Sequence, residues 1–457
     1  MVWLQRVKQQ VGPLWWYTAI LFAVQRLGDL INAFVGLYLV PRYVPQTELG
    51  ALLPLTQVAG ALGLPLTILM MTFSKYVNTY ATRGEYGKVK SLLRDAFILS
   101  LILFIAVLLY ARFFMPMVFE RMRVSDGRLG MLVVASGVLG ALASVFSCAL
   151  QALKKFKLLA SVGLFSAPLR LVTLLICLPI RALSGYFVGQ IVPTLYGMVV
   201  AVYGLKDIFS SKIRAQSYWR QDGFSMMKFA APVMIGLLFG TLQSLVESFV
   251  IRHRLPDVES AGYYLISRFA ELGSYVGTTL IFVLFPLASE QHERKDRSQK
   301  LILQGMGLSL VSGLLLAVCF WLIGRHLLNL VAAWRVYVNF TPYLAILTVI
   351  CALRITANCF TAHEMACRRF GYLIYMGAIS ALEAAFLYGV TGYSFFSPWL
   401  PTSWIGWMAN LKAARLGFLL QVMLWCSVLP LIFMAAELLW QRRQRSRVRV
   451  PTNCSGG

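Results

Sequence analysis

Arginine and carboxylate side chains stand inside long apolar stretches of this chain, and their spacing holds the legible chemistry. Arg26 and Asp29 lie in the first stretch and Arg268 and Glu271 in the eighth, each pair three residues apart. On a helix that spacing puts both members on one face. A charge at the centre of a bilayer costs roughly 2.5–3.5 kcal/mol on insertion scales, so such residues face a protein interior or a wet cavity. Phe22, Gln25, Arg26, Asp29, Asn32 and Gly36 recur at helical steps in the first stretch, as do Tyr264, Arg268, Glu271, Tyr275 and Thr278 in the eighth. The seventh carries Gly236, Gly240, Gln243, Ser244 and Glu247, the tenth Arg354 and Asn358, and the eleventh Ser380 and Glu383. Arg170, in the fifth, could join them, although it reads as nearer an edge.

Polar stripes on several helices imply a shared hydrated interior. Guanidinium is a planar, always-charged fork of donors, so Arg26, Arg268 and Arg354 suit a phosphate or carboxylate, with Gln25, Asn32, Gln243 and Asn358 lining the same cavity. Asp29, Glu247, Glu271 and Glu383 would orient those arginines or carry coupling protons, because a carboxylate in low dielectric can exchange a proton near neutral pH. The competing reading is an internal ion pair within one helix that only permits insertion. Enzyme signatures are missing: His253, His292, His326 and His363 are scattered and read as loop or interface residues, and no Gly-Lys-Ser/Thr phosphate loop occurs. Direct ATP use is therefore not expected; a proton or sodium gradient is the expected energy source, with no metal and no bound cofactor. The eight cysteines show no metal-ligand or Cys-x-x-Cys spacing and read as small packing residues.

The elements that must position these residues are membrane helices. Hydrophobic residues make up 59% of 457 positions and charged residues 13%, with a mean hydropathy of +0.71. At about 20 apolar residues per crossing, the sequence predicts about twelve spans, centred near Val24, Leu62, Phe104, Ala141, Leu171, Gly197, Leu238, Val276, Leu314, Val349, Ala381 and Met423. The ten-residue alternation of a membrane barrel is absent. The fold class is all-α and polytopic.

A net charge of +24 could suggest a nucleic-acid partner, but the basic residues cluster in Lys75 to Arg94, Lys154 to Lys157, Lys206 to Lys228 and the tail Arg442 to Arg449. That is a positive-inside pattern, which puts both termini in the cytoplasm and these loops against anionic lipid. No cleavable leader is expected, since Met1 to Pro13 is polar and precedes a charged span.

The halves carry similar punctuation. Pro13 precedes Asp29 by sixteen residues and Pro232 precedes Glu247 by fifteen; Glu48-Leu49-Gly50 and Glu259-Ser260-Ala261-Gly262 follow. Two parallel six-helix repeats are expected, with substrate bound between them: an N-terminal lobe over 1–205, a cytoplasmic linker over 206–228, a C-terminal lobe over 229–441 and a basic tail over 442–457. The outside segment 392–412, with Trp399, Trp404 and Trp407, reads as interfacial. Pro65, Pro168, Pro193 and Pro286 are expected to kink their helices.

The chain resembles the multidrug/oligosaccharidyl-lipid/polysaccharide exporter superfamily, and within it the polysaccharide transporter family of O-unit and exopolysaccharide flippases. The stretches that carry the resemblance are Phe73-Ser74-Lys75-Tyr76-Val77 through Arg83-Gly84-Glu85-Tyr86-Gly87-Lys88-Val89, Leu150 to Lys157, and Lys228-Phe229-Ala230-Ala231-Pro232. The resemblance implies a V-shaped, MATE-like pair of six-helix lobes. They would move an undecaprenyl-diphosphate-linked oligosaccharide, a repeat unit of lipopolysaccharide or exopolysaccharide, across the inner membrane by alternating access. It also implies cavity arginines in the spans of Arg26 and Arg268, and polymerase and export proteins of the same pathway as partners. Two alternatives stand beside it: a multidrug-type cation antiporter, and a membrane glycosyltransferase, polymerase or ligase acting on lipid-linked sugars.

Overall fold

The computed structural model describes residues 23–24, 26–124, 129–153, 155–210, 216–275, 277–278, 280–281, 299–366, 369–391 and 416–448. Among these the chain is helical and has no strand. The long helices are α1 (residues 26–43), α2 (Gln46–Thr82), α3 (Tyr86–Arg121), α4 (Leu129–Ala152), α5 (residues 156–180) and α6 (residues 183–204). They continue with α7 (Trp219–Arg254), α8 (Asp257–Glu271), α9 (Gln299–Leu330), α10 (Thr341–Ala366), α11 (Tyr372–Thr391) and α12 (Leu416–Val448). The described span centres from Leu62 to Met423 each fall in a helix, and Val24 is helical just ahead of α1; Val276 lies outside the described residues. Gln25, Pro13, Lys154, Pro286, His292, Arg449 and the segment 392–412 also lie outside them.

Among the described residues eight stretches are long and apolar enough to cross a membrane. One of them, Lys157–Gly204, holds two helices, because Arg181 and Ala182 leave helical geometry and Ala182 takes a left-handed φ of 41°. The chain doubles back there: a Cβ added at Gly185 would lie 2.2 Å from the Cys177 carbonyl oxygen. Exposed apolar side chains run the length of α3, among them Ile102, Ile105, Leu109 and Phe113. A water-soluble protein rarely exposes so much contiguous apolar surface; lipid is its natural solvent.

The turns follow from local chemistry. Gly84 ends α2 at φ +74°, and the Glu85 N–H then reaches the Tyr80 carbonyl at 2.9 Å, a Schellman closure that glycine makes without strain. Pro45 and Pro256 open α2 and α8 in the same way. Each carbonyl accepts the N–H four residues on, from Leu49 at 2.8 Å and from Ser260 at 2.9 Å, and each is followed three residues later by a glutamate in the first helical turn. Acidic side chains there complement the helix dipole.

The chain divides into two compact units, Met1–Arg268 and Phe269–Gly457. In the first, α2 packs against α4 closely enough that a Cβ at Gly137 would meet the Ala59 carbonyl at 2.2 Å. It is also tied to α7 by hydrogen bonds from Tyr76 to Ser225 (2.9 Å) and Tyr80 to Asp222 (2.6 Å). At the other end of α2, Gly50 touches Ser260, where a Cβ would sit 2.2 Å from Oγ and 2.7 Å from Cβ. Arg252, 1% exposed at the end of α7, locks this region: its Nε donates to the Met122 carbonyl (3.0 Å), one terminal nitrogen to the Thr47 carbonyl (2.7 Å) and the other to Asp257 (2.9 Å). In the second unit a core of Ile302, Ala357, Phe360, Tyr372 and Met434 joins α9 to α12, and Phe269 meets Phe320 and Trp334 edge-on.

Candidate functional site

Asp29, Asn32 and Gly36 follow Arg26 at steps of three, three and four residues, so one face of α1 presents all four positions. Three arginines meet that face. Arg26 belongs to it and pairs with Asp29 at 3.0 Å, both side chains about one-quarter exposed. Arg170, on α5, donates to the Asn32 side-chain oxygen. Arg268, on α8, lays its alkyl chain across Gly36, where a Cβ would be 3.4 Å from the arginine Cδ and 3.9 Å from the Tyr264 hydroxyl. Its guanidinium stands over the Tyr264 ring at 5.2 Å, a cation–π contact between successive turns of α8. Gly36 is also part of a π-helical turn, Val35–Leu39, a local widening that frequently marks functional sites.

Arg170 lies fourteen residues into α5 and eleven before the Arg181 turn, so it is mid-helix and not near an edge as the sequence reading had it. Its second terminal nitrogen donates to the Tyr186 hydroxyl of α6 at 3.2 Å, and its carbon sits 5.8 Å from that ring's centre. Gln190, one turn further along α6, donates to the same hydroxyl at 3.1 Å. The first unit therefore holds Arg26, Asp29, Asn32, Arg170, Tyr186, Gln190, Tyr264 and Arg268 around the α1 face. Gln243, half-buried, and Glu247, 5% exposed, lie one turn apart on α7 of the same unit.

In the second unit, Arg354 on α10 donates to Glu383 on α11 (3.1 Å) and to the Ser427 hydroxyl on α12 (3.0 Å); the Ser427 hydroxyl in turn donates a hydrogen bond to the Met423 carbonyl. The glutamate is buried and the arginine one-quarter exposed. Asn358 is exposed one turn beyond Arg354, and Glu271 is the last residue of α8, its carbonyl accepting from Ser274 (2.7 Å). Thus Arg26 meets Asp29, Asn32 meets Arg170, and Arg354 meets Glu383.

His363 is not in a loop: it lies in the last turn of α10, 3% exposed, with Nδ1 3.2 Å from the Glu364 carboxylate, itself 1% exposed. Two adjacent polar residues in a helix gave a sign that could have been read. Arg252 was missed because it stands in the run Arg252-His253-Arg254, which looks like an ordinary basic loop. Outside the spans, burial first, and then the charge and hydrogen bond of Asp95, push the Tyr218 hydroxyl up to about 12. Asp207 is held below its ordinary range by its hydrogen bond and charge contact with Lys155. Among the described residues no group of His, Cys, Asp or Glu side chains is placed to hold a metal ion.

No protein-family profile matches the chain, and no curated protein matches it. Solved structures do. An inward-facing multidrug resistance MATE family transporter of the MOP superfamily superposes with a TM-score of 0.68 at 13% identity, covering 95% of this chain and 99% of that one. VcmN, a Vibrio cholerae MATE transporter, gives 0.65 at 16% identity over 97% and 98%. The lipid II flippase MurJ in an inward closed conformation gives 0.54 at 12% identity over 92% and 87%. The chain has the all-helical, polytopic membrane fold shared by these proteins.

Proposed function

We propose that this chain is a flippase that moves a polyprenyl-diphosphate-linked oligosaccharide, the repeat unit of a surface polysaccharide or O-antigen, from the cytoplasmic to the outer leaflet of the inner membrane by alternating access. The observation that carries the reading is the α1 face, where Arg26, Arg170 and Arg268 gather beside Asp29. Guanidinium held inside a membrane is costly, and its planar fork of donors suits an entering diphosphate. Amide and hydroxyl groups beside it, from Asn32, Gln190 and Tyr186, suit the polar bridge between lipid and sugar. The fold supports transport in general, since the solved structures that share it are described as transporters and a flippase.

Arg354 and Glu383 would form a second polar centre, with Asp29, Glu247, Glu271 and Glu383 available for coupling to a proton or sodium gradient. The basic loops put both termini in the cytoplasm and touch anionic lipid; a polymerase and export proteins of the pathway are the expected partners. A cation antiporter of the multidrug type is the second reading, and the buried Glu247 favours it.

The test is made in cells that lack the gene. Labelled lipid-linked oligosaccharide should accumulate on the cytoplasmic leaflet, and the intact gene, but not its Arg268→Ala variant, should clear it. Normal outward-facing glycolipid in the deletion would reject the flippase. Outward-facing but unpolymerised glycolipid would point to an enzyme.

A further inference from the structure

The three arginines on the α1 face are not equivalent. Arg26 is neutralised by Asp29 within its own helix, whereas among the described residues Arg170 is held by uncharged groups, the side chains of Asn32 and Tyr186. Among the described residues no carboxylate lies within ion-pair reach of Arg170, and its Nε–H is buried without an acceptor. Tyr186 adds a second donor. Its oxygen already accepts from both Arg170 and Gln190, so its own proton is left to give. A full positive charge at mid-helix depth, flanked by a buried N–H and a hydroxyl with protons to donate, lacks a bound acceptor of negative charge.

We infer that Arg170, with the Tyr186 hydroxyl, is the seat of a phosphate group, and that Asn32 and Gln190 hold these two side chains in position for it. This assignment rests on the flippase reading and deepens it, placing the diphosphate of the carried lipid against α5 and α6. The seat is part of the rigid packing of the first unit: Asn32 comes from α1, Arg170 from α5 and Tyr186 from α6, with the α5–α6 hairpin closed tightly at Gly185. A phosphate oxygen accepts from the arginine fork and the phenol together, a geometry that ammonium matches poorly.

The experiment measures binding of farnesyl diphosphate, inorganic pyrophosphate and farnesol to the purified full chain in neutral detergent by calorimetry. The intact protein should bind farnesyl diphosphate, and Arg170→Gln should weaken it on the order of tenfold to a hundredfold, the size expected for losing charge-assisted hydrogen bonds. Arg170→Lys should recover part of the loss, Tyr186→Phe should weaken binding several-fold, and Arg112→Gln, on the exposed face of α3, should change nothing. Farnesol binding should be the same in every variant. If pyrophosphate follows the same pattern with equal affinity, the seat takes free phosphate as well as the lipid form, and the assignment of Arg170 holds. Undiminished farnesyl diphosphate binding in both Arg170→Gln and Tyr186→Phe overturns the inference and leaves the flippase standing; so does an equal loss for farnesol. No diphosphate binding by the intact protein removes the flippase reading itself. If Arg170→Gln does not fold, Arg170→Lys and Tyr186→Phe carry the same decision.

Discussion

Replacing Arg252 with alanine should be among the most destabilising single changes in the first unit, and its size can be worked from the contacts. The guanidinium is 1% exposed and satisfies two carbonyls from distant helices, Met122 at 3.0 Å and Thr47 at 2.7 Å, besides Asp257 at 2.9 Å. Stranding the buried Met122 carbonyl costs about 1–3 kcal/mol, and losing the bond to the carbonyl of Thr47, an exposed residue, adds about 1. Asp257 adds little, because it is one-third exposed and keeps Arg123 at 3.3 Å. The cavity left by a side chain that is 1% exposed adds on the order of 1 kcal/mol more. Unfolding in mixed micelles, followed by dye labelling of the half-buried Cys177 in the first unit and of the buried Cys359 and Cys426 in the second, gives the measurement. Arg252→Ala should lose about 3–5 kcal/mol, and Arg252→Lys should recover less than half, since a point charge cannot span three acceptors. Asp257→Asn removes the counter-charge of the buried guanidinium and should also destabilise, but by less than the alanine change, since Asn keeps an oxygen for the arginine. If the alanine variant loses no more than Asp257→Asn, the two carbonyl bonds are not what holds these helix ends.

Gly50→Ala forces a Cβ into Ser260 and should cost about 1–3 kcal/mol, while Ser260→Gly in the same chain should return part of it, a non-additivity that a double-mutant cycle reads directly. Arg354→Met strands the buried Glu383 and should cost about 3–5 kcal/mol in the same unfolding assay, more than Glu383→Gln, which keeps an oxygen for the arginine. Tyr218 supplies a pH dependence. Its hydroxyl rises from 10.0 to about 12 on folding, so the neutral phenol contributes stability fully present below pH 10 and lost as pH climbs through about 12. Tyr218→Phe should therefore flatten the alkaline limb of the stability profile, and an unchanged limb would mean the phenol is not buried beside Asp95.

The helices were legible because span length is set by the bilayer. Apolar runs centred near Leu62, Ala141 or Leu314 have no other structure open to them than a crossing helix. Glu48 and Glu259 stand out in the sequence for a local structural reason, since Pro45 and Pro256, three residues before them, each open the helix that follows. The α5–α6 turn left no glycine at its left-handed residue, Ala182, and was read only from the length of the apolar run. Arg-x-x-acid spacing revealed Arg26 with Asp29, because both partners sit on one helix. Arg170 gave no such sign: its partners Asn32 and Tyr186 come from other helices, and a lone arginine in an apolar run carries no local clue to what meets it. For the same reason Arg354 and Glu383 could be named as site residues but not as each other's partner.

The most direct test of the account is translocation in sealed proteoliposomes. Purified protein is reconstituted with a fluorescent polyprenyl-diphosphate oligosaccharide in one leaflet, and its appearance in the other is followed by an impermeant quencher, beside uptake of a cationic dye. Movement of the glycolipid, lost with Arg170→Gln and Arg268→Ala and without dye transport, is the outcome expected of an arginine-lined flippase. Dye movement coupled to a proton or sodium gradient, with the glycolipid left where it was placed, would contradict it and make this chain a cation antiporter on the same fold.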